Sequence, residues 1–130
     1  MSINNTCNFQ LGLFAINAWG ALTKTLAPER WDASWANNLR VARMAEEGGL
    51  DFILPFGVWT GLKGESPTDG HALEVLTWAA GILQATRHIT VFGTVHTPFL
   101  HPVMAAKQCT TCDHIGSGRF GLNIVSGYNK

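Results

Sequence analysis

Four short apolar runs, separated by stretches of helical period, constrain this chain more than any other feature. Residues 10–16 (Gln-Leu-Gly-Leu-Phe-Ala-Ile) form a nearly continuous apolar run, the pattern of a strand covered on both faces. Residues 51–55 (Asp-Phe-Ile-Leu-Pro) are a second run ended by proline, and the β-branched residues 89–95 are a third. In the fourth, a turn at Gly118 feeds the run from Phe120 to Val125, which gives way to the small and polar Ser126-Gly127-Tyr128-Asn129. Between the runs lie three helical patterns. Asp32 or Ser34 caps the first, which carries Trp35, Leu39, Ala42 and Ala45 on one face and stops at Gly48-Gly49. The second, residues 72–86, aligns Leu73, Leu76, Ala79, Ala80 and Leu83, and the third opens on Pro102 and runs to about Ile115 before Gly116.

The order is β-α-β-α-β-α-β, with roughly 30 to 40 residues from strand to strand, a spacing that demands parallel strands joined by right-handed crossovers. Such an α/β chain is either an open parallel sheet or the N-terminal half, about four βα units, of a TIM-type (β/α)8 barrel, and periodicity leaves both open. The first strand-to-helix turn contains neither Gly-x-Gly-x-x-Gly nor Gly-Lys-Ser/Thr, which removes dinucleotide-fold and P-loop chemistry.

The 130 residues suffice for one domain spanning 1–130, and 46% hydrophobic with 14% charged residues marks a chain that buries a core. Nine basic and nine acidic side chains cancel, so neither nucleic acid nor an anionic membrane is an expected partner, and a small molecule is. The first ten residues are polar, and no apolar run approaches the ~20 residues that span a bilayer, which predicts a soluble cytoplasmic protein. Three cysteines are expected as reduced thiols; Cys109-Thr-Thr-Cys112 lies inside a helical pattern and lacks a second pair for zinc, so helix packing is its expected role.

The two long post-strand loops, 17–31 and 56–70, are where ligand contacts belong. Trp19 and Trp59 in these loops could wall a flat aromatic ligand, or pack the loops down. His96 stands at the exit of the third run, where an imidazole can act as general acid or base. It is five residues from His101, a spacing that matches no metal pattern, so no metal site is expected; His101 falls to helix-end hydrogen bonding, and His71, His88 and His114 to structural or solvated roles. Asn123 is an amide inside an apolar strand and needs hydrogen-bond partners there. Trp35 and Trp78 are expected in the core, and Arg119, at the strand entrance, in a structural ion pair.

The segment Asp113-His114-Ile115-Gly116-Ser117-Gly118-Arg119-Phe120-Gly121-Leu122-Asn123-Ile124-Val125-Ser126-Gly127 resembles the D-x-x-S-x-G-R-x-x-x-N-x-V-[ST]-G stretch of the bacterial luciferase-like, flavin-dependent monooxygenases, in particular the alkanesulfonate, dimethyl sulfone and pyrimidine branches. The similarity reaches back through residues 102–108 and 86–89 to 46–52 and covers nearly the whole chain. The resemblance implies a TIM-type barrel that binds reduced FMN, supplied by a separate flavin reductase, at the C-terminal ends of its strands, and uses O2 to oxidise a small organic substrate, organosulfur or heterocyclic. Carried over by position, Asn123 matches a flavin-contacting asparagine, and Gly57 and Val58 the strand-two exit beside the isoalloxazine. Thr97 matches the strand-three exit, while Ser126, Gly127 and Tyr128 line the same pocket, Tyr128 with Trp19 and Trp59 on the substrate side. F420-dependent hydride transfer is the alternative within the same superfamily. The family's barrel continues for four more βα units that hold the FMN phosphate site and further catalytic groups. A chain ending at Lys130 is therefore expected to be a fragment that needs the missing half, or a half barrel that pairs with a second copy to cover its edges, in the extreme without catalysing anything.

Overall fold

The computed structural model describes residues 9–60 and 71–127. Strands and α-helices alternate among the described residues: β1 (Gly12–Phe14), α1 (Trp35–Glu47), β2 (Phe52–Leu54), α2 (Val75–Ala85), β3 (Thr90–His96), α3 (Pro102–Gly116) and β4 (Phe120–Val125). The strands form one sheet in the order β1-β2-β3-β4, every neighbouring pair parallel, in the register Gly12 to Phe52, Phe52 to Thr90 and Val91 to Phe120. Sequential order in a parallel sheet, with each crossover a helix, is the geometry of four consecutive βα units of a (β/α)8 barrel.

The pleat divides the sheet into two faces. Val91 of β3, Ile53 of β2 and Phe120 of β4 point toward the helices, where they pack with Trp78, Ala79, Ile82 and Leu83 of α2 and Ala42 and Ala45 of α1, and Val95 of β3 packs on the same side with Val75 and Leu76 of α2. Gly93 shares that face because a Cβ there would strike Leu76 and Phe120. Gly12, Phe52, Phe92 and Gly121 lie on the opposite, barrel-inner face. Phe52 and Phe92 meet edge to face at 5.6 Å, and the two glycines admit those rings, since a Cβ on either would run into one.

Helix ends are secured by named side chains. Ser34, of the two possible caps, accepts from Asn37 N–H, while Asp32 accepts from Ser34 N–H at 2.9 Å and Asn37 Nδ2 at 2.7 Å. The α2 pattern begins at Val75 rather than residue 72, because the Glu74 carboxylate caps it by accepting from Leu76 and Thr77 N–H. Leu73 thus lies outside the helix, and its N–H donates to Asn17 O. At α3, Pro102 occupies the first turn, the His101 imidazole accepts from Val103 N–H, and Ser117 closes the helix in the left-handed conformation (φ 51°).

Three expectations need correction. The first strand is three residues long and is not covered on both faces: Ala15 turns left-handed (φ 65°), which ends it, and Phe14 remains 50% exposed. Trp35 is 43% exposed instead of buried, because the first turn of α1 lays its ring across Gly81 of α2 at the rim of the helix layer. Arg119 makes no ion pair among the described residues. Its guanidinium donates to Leu83 O, Thr86 O, Thr86 Oγ1 and Ile89 O at 2.7–3.1 Å, closing the C-terminal end of α2. Trp78 is buried as expected and donates to Asn38 Oδ1 at 2.8 Å. No helix among the described residues is long and apolar enough to cross a membrane.

Candidate functional site

The C-terminal ends of β2, β3 and β4 converge on His96. This residue is the last of β3, lies on the inner face, and is 3% exposed. Trp59, in the loop after β2, reaches it: the indole Nε1–H donates to His96 Nδ1 at 3.1 Å. Phe99 completes an aromatic trio, 6.0 Å from each of the His96 and Trp59 rings.

Two glycines fit against the imidazole. A Cβ at Gly57 would stand 2.7 Å from His96 Cε1 and 2.8 Å from Thr94 Cγ2, closer than real contacts allow. A Cβ at Gly127 would stand 3.3 Å from His96 Cδ2, and Gly127 has φ 79°, a left-handed conformation that a side chain would strain. Glycine backbone thus flanks the ring on the sides of the β2 and β4 exits, while Trp59 and Phe99 hold it with side chains.

One layer deeper on the same face, Asn123 Nδ2 donates to Thr94 Oγ1 at 3.2 Å, and Thr94 Oγ1 lies 3.4 Å from Pro55 O. This polar line crosses three strands. The hydrogen bond ties Asn123 to its neighbouring strand, and its Oδ1 has no partner among the described residues. A cavity of about 100 Å³ opens beside His96, lined by Gly57, Val58, Trp59, Ala72, Glu74 and Val75. It has room for a few waters or the edge of a ring, far short of a whole cofactor.

Gly57, Val58, Trp59, His96 and Gly127 are thus brought together, with Asn123 one layer below. Thr97 and Ser126 are exposed at the rims of the β3 and β4 exits; Thr97 N–H donates to Val125 O. Trp19 is not brought in. It sits in a turn of 3-10 helix (Trp19–Leu22) with Arg30 stacked over its ring at 5.5 Å and His71 edge-on at 6.4 Å, away from the cavity lining. Tyr128, Cys7 and the glycines of residues 61–70 lie outside the described residues.

Sequence reasoning missed Asn17, which is fully buried and organises the exits. Its Nδ2 donates to Phe56 O at 2.9 Å and Leu73 O at 3.1 Å, and its Oδ1 accepts from Phe56 N–H at 2.7 Å. An asparagine directly after an apolar run was the available signal, akin to the amide within an apolar run that drew attention to Asn123. Glu74 was missed as well, since its cap role is visible only once the loop is placed. Burial holds the Cys109 and Cys112 thiols above their ordinary pKa, and Cys112 Sγ packs 3.4 Å from Leu76 O, the setting of inert helix-packing cysteines. Among the described residues no group of three or more His, Cys, Asp or Glu side chains could hold a metal ion.

Residues 9–130 match the family model for luciferase-like monooxygenases. The chain is 35% identical over 122 residues to a pyrimidine monooxygenase of Caulobacter sp. (strain K31), covering 93% of this chain and 34% of that protein. It is 38% identical over 114 residues to one from Methylobacterium radiotolerans, covering 88% of this chain and 29% of that protein. The chain thus spans about a third of the length of the curated relatives it matches. Among solved structures, EDTA monooxygenase from Chelativorans sp. BNC1 superposes with a TM-score of 0.80 at 22% identity, over 92% of this chain and 30% of that one. A riboflavin lyase solved with modified FMN and riboflavin gives 0.76 at 25% identity, over 90% of this chain and 29% of that one.

Proposed function

Because the chain belongs to the luciferase-like monooxygenase family, we propose that it forms the N-terminal flavin-facing part of a monooxygenase that oxidises a small organic molecule with O2 and reduced FMN. The observation that carries this reading is the convergence on His96: three strand exits meet at one buried imidazole, lined by glycines and an indole. In a (β/α)8 barrel, strand C-terminal ends are where chemistry is done. The residues fit the polar edge of a flavin ring. Gly57 presents bare backbone where a side chain would strike His96, Val58 lines the cavity beside it, and Asn123 keeps a free amide oxygen among the described residues. Thr97, Ser126, Gly127 and Tyr128 would border the same ring, with Trp59 and Tyr128 toward substrate. Among the described lining residues of the cavity there is no Lys or Arg, so these residues fit the ring end of FMN and leave its phosphate to other residues.

Bound reduced flavin supplies the oxygen activation. The chain's part is to orient the ring and exclude water. A flavin reductase is the partner that would deliver reduced FMN, and pyrimidine-like heterocycles or organosulfur compounds are the substrates in view, the former because the relatives at 35–38% identity are named as pyrimidine monooxygenases. Use of F420 is the competing cofactor reading.

Titrating the chain with FMN while following tryptophan fluorescence tests the reading. Saturable quenching that Trp59→Phe diminishes is expected; a folded chain showing none would overturn flavin binding by these residues, and tighter binding of F420 than of FMN would move the chain to the hydride-transfer branch. A second reading, a half barrel that self-associates and catalyses nothing, is favoured by one observation: Phe14 on the inner face of β1 and Leu122 and Ile124 on the helix-side face of β4 are 46–64% exposed. Retention of FMN by the chain separates the two.

A further inference from the structure

We propose that His96 serves as an Nε2–H hydrogen-bond donor to an acceptor atom on the edge of the bound ring, fixed in that tautomer by Trp59, and that it does not act as a proton acceptor there. This rests on the flavin reading above and gives the central residue of that site a definite role.

An indole N–H is a donor and nothing else. At 3.1 Å from Trp59 Nε1, His96 Nδ1 must therefore offer a lone pair. An imidazolium carries protons on both nitrogens and cannot accept, so the arrangement selects the neutral ring with its single proton on Nε2. That proton points where no described residue receives it: His96 is 3% exposed, yet Nε2 has no partner among the described residues. Buried N–H groups in folded proteins are nearly always satisfied by protein, water or ligand.

The surroundings of Nε2 show why an outside acceptor can reach it. The atoms bonded to Nε2 are Cε1 and Cδ2, and these are the atoms that Gly57 and Gly127 approach, with notional Cβ distances of 2.7 Å and 3.3 Å. Side chains are absent on both flanks of the N–H. Phe99 and Trp59 hold the ring from other directions, so its orientation is fixed before anything binds. An isoalloxazine or pyrimidine-type ring carries carbonyl oxygens and ring nitrogens around its edge, the acceptors this donor would read. A ligand lacking an in-plane acceptor would leave the N–H unsatisfied and be discriminated against.

The test uses the 130-residue chain labelled with 15N-histidine. Long-range 1H–15N correlation spectra should show His96 with Nδ1 in the unprotonated range and Nε2 in the protonated range, and Trp59→Phe should relax this toward a tautomer mixture. On addition of FMN the Nε2–H resonance should move downfield. His96→Ala should weaken FMN binding about tenfold, whereas His96→Gln, whose amide N–H reaches near the Nε2 position, should stay within about threefold, and the shorter His96→Asn should not. An Nδ1–H tautomer or an imidazolium at His96 would overturn the assignment, as would FMN binding that all three substitutions leave unchanged. Absence of FMN binding by the wild-type chain overturns the flavin reading, and with it the acceptor assigned to His96; unchanged binding in the variants overturns the donor role alone. The tautomer measurement needs only the wild-type chain and Trp59→Phe, so it stands even if His96→Ala does not fold.

Discussion

Glu46 shows how much one side chain can organise. Its Oε1 accepts from three consecutive amides, Arg87, His88 and Ile89, at 2.6–3.0 Å, and so fixes the approach to β3 from the last turn of α1. Burial on its own would raise the carboxyl pKa, but the three amide bonds, with help from His88, outweigh it and hold the group below its ordinary value of 4.5. A depressed folded pKa gives stabilisation that is complete above the unfolded value and lost as pH falls through the folded one. The stability gap between wild type and Glu46→Gln, measured by urea unfolding, should therefore be constant near neutrality and close as pH drops below about 4.5. At neutral pH, Glu46→Ala, which orphans all three amides, should cost about 1–2 kcal/mol. The sequence gives no local sign of this role for Glu46, because its partners lie 41 to 43 residues away.

At the scale of elements, the junction of α2 with β4 is held by Arg119. Four hydrogen bonds from one guanidinium, to the carbonyls of Leu83, Thr86 and Ile89 and the Thr86 hydroxyl, replace the ion pair expected at the strand entrance. Burial lowers its pKa, with Glu46 opposing through its charge, so the guanidinium remains a cation placed at the negative end of a helix. Arg119→Ala should lower stability by about 1–3 kcal/mol, seen as a shift in the urea midpoint, and Arg119→Lys should recover only part, since one ammonium cannot span the three carbonyls and the Thr86 hydroxyl. Elements themselves were legible: every strand and α-helix was anticipated near its place from apolar runs, caps and glycine stops, while the short 3-10 helix Trp19–Leu22 lay in a stretch read as loop. Their ends were less so: Ala15 ends β1 by turning left-handed, and Glu74 starts α2 with a carboxylate cap on the amides two and three residues on.

For the whole molecule, the sheet presents apolar surface on two sides. Leu122 and Ile124 lie on the helix-side face of β4, 46% and 64% exposed, and Phe14 on the inner face of β1 is 50% exposed. Described elements cover β2 and β3 on the helix side and leave these outer positions open, a surface that favours association. Sedimentation of the chain should show concentration-dependent self-association, and the pair Leu122→Lys with Ile124→Lys should reduce it while leaving the helical circular dichroism signal unchanged.

The sequence by itself determined the α/β class, the parallel order and the strand exits, because periodicity, caps and the distance between apolar runs are local properties that any fold must honour. It also marked Gly57, Val58, Trp59, His96, Thr97, Asn123, Ser126, Gly127, Tyr128 and Trp19 as one set, through strand ends, loops and resemblance. Only the tertiary structure decided that Trp59 and His96 meet while Trp19 faces Arg30 and His71. It alone revealed Asn17 as the tie between exits, and that Gly57 and Gly127 are glycine because an imidazole occupies the space of their side chains. Those outcomes depend on which residues 30 to 40 positions apart the crossovers bring to one end of the sheet, and no local pattern encodes such a contact.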